Sequence, residues 1–131
     1  MKRLTLFDWF LLGLVALFLA SFVGCANLPR EQRAAEATYQ ALHGIDTLQT
    51  LQIHNGAACW ENNPILGRYP SQGEISAYMA SEAVLHAIVT QTLADHDAPM
   101  WVQRVWEVSS VVIAAGRVRQ NHRIGVPVKL P

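Results

Sequence analysis

The chain has 131 residues, room for one domain with a modest core. Hydrophobic residues make up 51% and charged residues only 15%, which excludes a highly charged disordered chain and points to membrane contact. Ten cations balance ten acids, and the part beyond residue 24 is nearly as neutral, so no general electrostatic attraction to nucleic acid exists.

The N-terminus opens with Lys2 and Arg3; Asp8 interrupts, and residues 9–29 then carry no charge. An apolar run over residues 9–20 gives way to Ser21-Phe22-Val23-Gly24-Cys25. A basic start, an apolar stretch and small residues before a cut are the parts of an export signal, in which the cations stay cytoplasmic. The last of these residues resemble a lipobox, where bacterial lipoprotein precursors are acylated on cysteine and cut before it. Val23 and Gly24 suit the pattern; Phe22 departs from the commoner leucine, and Asp8 is unusual so near the apolar run.

The resemblance spans about the first fifth of the chain and implies a diacylated, then N-acylated, Cys25. Each buried methylene contributes about 0.8 kcal/mol, so two or three acyl chains anchor stably where one does not. Ala26 stands where an aspartate tends to retain such proteins at the inner membrane, and so favours the outer membrane. The alternative is an uncleaved anchor, because about 20 apolar residues suffice to cross a bilayer. Both readings put the remaining chain on the periplasmic side. Cys59 would then lack a partner within the chain and is expected as a buried, inert thiol beside Trp60.

A first helix is expected from Arg30 to about Ile53. Ala34, Ala37, Ala41, Ile45, Leu48 and Leu51 recur at three- and four-residue spacing as its core stripe. His54-Asn55-Gly56 reads as a stop. The loop that follows is dense in turn residues yet carries large apolar side chains. Pro64 holds Asn63 extended, and Gly67 permits a positive φ. Such a loop is expected to pack back on the helices, with Ile65 and Leu66 inward. The alternative is a partner-binding loop presenting Trp60, Ile65, Leu66 and Tyr69.

Ser71-Gln72-Gly73-Glu74 forms a capping box that starts a second helix, expected to reach about Ala94. Ile75, Met79, Val84, Leu85, Ile88, Val89 and Leu93 cover a wide apolar arc on it. Residues 95–99 break the pattern, and Pro99 suits the first turn of a third helix running to about Gln120. Trp101, Val105, Val108, Val112 and Ala115 form its expected core stripe, and Gly125 and Pro127 end regular structure.

The fold expected is all-α. A signal or anchor helix (1–24) and a tether (25–29) precede a three-helix bundle (30–124), and a tail (125–131) follows. Several membrane spans are the alternative. Glu82 and His86 on the second helix and Arg104, Glu107 and Arg117 on the third oppose it, each such charge costing about 2.5–3.5 kcal/mol at a span's centre.

Chemistry-bearing residues are few. Tyr39, His43, Asp46 and Thr50 share one helix face, and Glu82 and His86 lie four apart. With Glu107, the set His43, Asp46, Glu82 and His86 is the candidate metal or acid–base site. Against it, no H-E-x-x-H and no Glu-x-x-His pair of the di-iron type is present, and an i, i+4 Glu–His pair is commonly a surface contact. No cofactor and no catalytic residue is indicated. Arg117, Arg119, His122, Arg123 and Lys129 follow the last acid, Glu107; they suit anionic lipid or plain helix-end electrostatics. The sequence thus points to a non-enzymatic envelope lipoprotein. Its expected partners are membrane lipid, through Cys25, and an envelope protein. A small metal-dependent enzyme or sensor is the rival.

Overall fold

The computed structural model describes residues 28–54, 63–126 and 128. The signal segment, Cys25, Cys59 and Trp60 lie outside them, as does most of the tether. Three helices make up the architecture: α1 (Arg30–His54), α2 (Gln72–Asp95) and α3 (Met100–Arg123). There is no strand among the described residues. The all-α expectation holds for the described residues between 30 and 124, and α3 runs on to Arg123 instead of stopping near Gln120.

Local chemistry sets the helix ends. Ser71 Oγ accepts from the Glu74 backbone N–H at 3.2 Å, and the Ser71 N–H donates to Glu74 Oε2 at 2.7 Å, completing the capping box. Both contacts with Ser71 hold the exposed Glu74 carboxyl below its ordinary range. At the far end of α2, Asp97 takes a left-handed conformation (φ 48°). Its N–H reaches the Ala94 carbonyl at 3.2 Å, and that of Ala98 reaches Leu93 at 3.0 Å. This double bond pattern closes a helix and turns the chain straight into α3. Pro99 sits at the N-cap of α3, just ahead of the first turn. The same closing pattern ends α3: Gly125 (φ 81°) donates to His122 and Val126 donates to Asn121, which tucks Val126 into the bundle.

Side-chain pairs fix the topology. Gln32 bonds Gln103 near the start of α1 and α3, and Asp46 bonds Asn121 near their ends, so these two helices run parallel. Gln40 reaches the Ala83 carbonyl and His43 that of Met79, so α2 runs antiparallel to α1. Leu28 is 2% exposed, packed on Ala87 with Ala94 beside it; the tether therefore enters at the α2–α3 turn.

The interior overturns the expected stripes. On α1 the buried side chains are Gln32, Glu36, Tyr39, Gln40, His43, Asp46, Gln49 and Thr50, while Ala34, Ala37 and Ala41 are exposed and Ile45, Leu48 and Leu51 only half-buried. On α3 the reversal is complete. Gln103, Glu107, Ser110 and Ala114 point inward; Trp101, Val105, Val108, Val112 and Ala115 are all exposed. On α2 the expectation holds for the buried Ile75 and Met79 and fails for the exposed Leu85 and Ile88. The physical reason is that α1 and α3 carry two stripes of equal period. The polar stripe is the one that finds partners across the helices, as Gln32 does in Gln103, Gln40 in the Ala83 carbonyl, His43 in that of Met79 and Asp46 in Asn121, although buried oxygens of Gln32, Gln40 and Gln49 stay unpaired. None of the described helices is long and apolar enough to cross a membrane.

Candidate functional site

The polar interior is the candidate site, and it has two levels. At the upper level, nearer the tether, four rings stack in a column drawn from all three helices. Tyr39 lies 5.6 Å from His43 and 3.5 Å from His86, and His86 lies 4.8 Å from Trp106, with interplanar angles of 11°, 13° and 22°. Aromatic faces at such spacing add to the burial of their area.

Glu36 holds this column in place. One carboxylate oxygen lies 2.9 Å from His86 Nδ1 and accepts from Thr90 Oγ1 at 2.8 Å; the other accepts from Gln40 Nε2 at 2.7 Å. The Trp106 indole N–H donates to Thr90 Oγ1 at 3.0 Å, so the α3 ring joins the same chain of bonds. Burial pushes the Glu36 carboxyl up, but the contacts with His86, Gln40 and Thr90 outweigh it and hold the group below its ordinary value. For Tyr39, burial first and the Glu82 charge second push the phenol above its ordinary value, against the pull of Arg117.

At the lower level Asn121 Nδ2 donates to Asp46 Oδ1 at 2.7 Å. Gln49 reaches the carbonyls of Val118 and Val126 at 3.5 and 3.4 Å. These groups border a cavity of ≈ 230 Å³ lined by Asp46, Thr50, Asn63, Met79, Arg117, Gln120 and Asn121. A more apolar groove of ≈ 300 Å³ runs between α2 and α3, where Leu85 and Ile113 meet Tyr39, His86 and Trp106.

The five candidate metal or acid–base residues are all inside or at the edge of this interior, but each is engaged separately. The His43 ring bonds the Met79 carbonyl at 2.8 Å. Asp46 holds Asn121. Glu82 pairs with Arg117 at 3.0 Å rather than with His86, and that bond raises the Arg117 guanidinium against the effect of burial. Glu107 pairs with Arg104 at 3.1 Å, and Arg104 also binds Glu31. Among the described residues no three His, Cys, Asp or Glu side chains gather to hold a metal ion. The i, i+4 pairing expected for Glu82 and His86 is replaced by pairing across helices.

Sequence reasoning missed Glu36, which organises the upper level. Its signal was present: Gln32, Glu36, Gln40 and His43 repeat at helical spacing, a polar line as regular as the alanine stripe beside it. The loop candidates also move. Ile65 and Tyr69 are 74% and 78% exposed, which corrects the inward packing expected of Ile65, while Leu66 is half-buried. Asn63 explains the reversal. Its Oδ1 accepts from the Ile65 N–H at 2.9 Å and its carbonyl from the Gly67 N–H at 3.0 Å, closing a tight turn that points Ile65 outward. Comparison with protein families, with characterised proteins and with solved structures finds no match.

Proposed function

We propose that the protein is a membrane-anchored envelope lipoprotein, held on the periplasmic side by an acylated Cys25, whose helical domain engages a protein partner and carries out no catalysis. One observation supports this reading above the others: α1 and α3 turn mainly polar side chains inward, and large apolar ones of α2 and α3 stand outside. The interior acids are paired with neighbours on other helices or on their own, a structural use of charge. The exterior suits apolar surroundings rather than bulk water.

The partner contact in this reading is the turn that presents Ile65 and Tyr69, at the opposite end of the bundle from Leu28. Aromatic and aliphatic side chains on a stiff turn are the usual anchors of a small interface. The several-span alternative draws on the same inverted interior, but the described helices lack the apolar length to cross a bilayer. The test uses the full chain, purified from envelopes with whatever co-purifies. Mass spectrometry of the wild type is expected to find an acylated N-terminal peptide beginning at Cys25. The double variant Ile65→Ala, Tyr69→Ala is expected to keep that peptide and its melting temperature while losing the co-purifying protein. An intact Met1 peptide in place of the acylated one would sink the anchor, and an unchanged set of co-purifying proteins would sink the loop assignment.

A further inference from the structure

Large apolar side chains stand exposed along α3 and on α2. On α3, Trp101, Val105, Val108 and Val112 follow one another at four- and three-residue spacing, all exposed, with no charge on the line until Arg119. On α2, Leu85 and Ile88 are exposed, and Leu85 and Ile113 share a groove between the two helices that also holds the Glu82–Arg117 pair.

The chain's own connectivity says what this surface meets. Leu28 is pinned against Ala87 and Ala94, at the end of the bundle where Met100 and Trp101 stand exposed. Only Ala26 and Asn27 separate Cys25 from Leu28, and even fully extended the three steps reach about 11 Å. An acyl anchor on Cys25 therefore keeps this end of the bundle at the lipid headgroups. Trp101 suits that boundary, since tryptophan favours the interface between headgroups and acyl chains. Arg119, His122 and Arg123, all exposed, continue α3 beyond the apolar line and place cations where anionic headgroups would lie.

We propose that the α2–α3 face lies on the phospholipid surface to which Cys25 anchors the chain, with its apolar side chains at the acyl boundary. The inference rests on acylation of Cys25 as read above. The outer face of α1, with Ala37 exposed, points away from the lipid. The domain thus lies on the membrane by one side, in the manner of interfacial helices whose apolar face sinks just below the headgroups.

The experiment uses the full chain in cells, with photoreactive benzoylphenylalanine replacing Val105, Val112 or Ala37 in turn. After irradiation, adducts carrying the mass of a phospholipid are expected at 105 and 112 and none at 37. Cross-links from 105 and 112 to a second copy, to residues 1–27 or to another protein, without lipid adducts, would overturn the proposal. Lipid adducts at all three positions would overturn it in favour of a bundle immersed in the bilayer. The Cys25 peptide is weighed in the same samples. Lipid adducts at 105 and 112 on an unacylated chain would sink the anchor while the face assignment stands. An acylated chain with protein adducts alone would sink the face assignment.

Discussion

Tyr39 and His86 lie face to face, ring centroids 3.5 Å apart and planes 13° from parallel, and so tie α1 to α2 through the middle of the bundle. Trp106 stacks on the same His86 ring from α3, so the histidine meets rings from both neighbouring helices. Removing the Tyr39 ring leaves a cavity between buried partners. Tyr39→Ala is expected to cost about 3–5 kcal/mol, the range for deleting a buried aromatic, and Tyr39→Phe far less. Thermal melts of the purified full chain in mild detergent check both. Equal melting points for the alanine variant and the wild type would remove the column from any role in stability.

Acid should loosen the bundle through Glu36. Its carboxyl binds a proton less readily folded than unfolded. Its contribution is therefore complete above the ordinary value of 4.5 and is lost as pH falls through the lower folded value. Melting temperatures measured between about pH 3 and 7 are expected to drop at the acid end. Glu36→Gln should melt lower at neutral pH yet fall less steeply on acidification. Glu74, held low by Ser71, remains in both proteins, so the difference between the two curves belongs to Glu36. Parallel curves would assign the acid sensitivity elsewhere.

The turn carrying Ile65 and Tyr69 is expected to tolerate truncation. With both side chains largely exposed, Ile65→Ala and Tyr69→Ala should each change stability by no more than about 0.5 kcal/mol. Chemical denaturation of the two single variants measures this. A loss several times larger in either would mean that the turn is part of the core.

Gly125 should resist replacement. Its φ of 81° lies in the left-handed region, where an L side chain meets the following carbonyl, and Gly125→Ala is expected to cost about 1–2 kcal/mol. Amide hydrogen exchange should quicken at Gly125 and Val126, the two donors that close α3. Unaltered exchange there would show that Val126 is held by its side chain alone.

Helix positions were legible in the sequence because their signals are local. Ser71 and Glu74 announce one start, and Gly125 announces one end. Which face turns inward was not, because α1 holds Gln32, Glu36, Gln40 and His43 on one line and Ala34, Ala37 and Ala41 on another. Either line satisfies helical periodicity. Only the partner helix decides, by offering Thr90, the Ala83 carbonyl and the Met79 carbonyl at matching heights. The same ambiguity hid Glu36 among the surface charges. It also made Glu82 and His86 look like a pair, although each bonds a different helix. On the loop, the apolar character of Ile65 suggests burial, whereas the turn closed by Asn63 exposes it.

A polar interior also sets the helices in a single vertical alignment. Two leucine-lined surfaces can slide past each other by a turn and find nearly equivalent contacts. The α1–α2 contact cannot. A shift of one turn, about 5.4 Å, would take Gln40 from the Ala83 carbonyl, His43 from that of Met79 and Glu36 from Thr90 all at once. Each bond acts as a tooth of a ratchet cut at one spacing, and the parallel α1–α3 contact adds Gln32 with Gln103 and Asp46 with Asn121. Such teeth keep the three helices from sliding past one another.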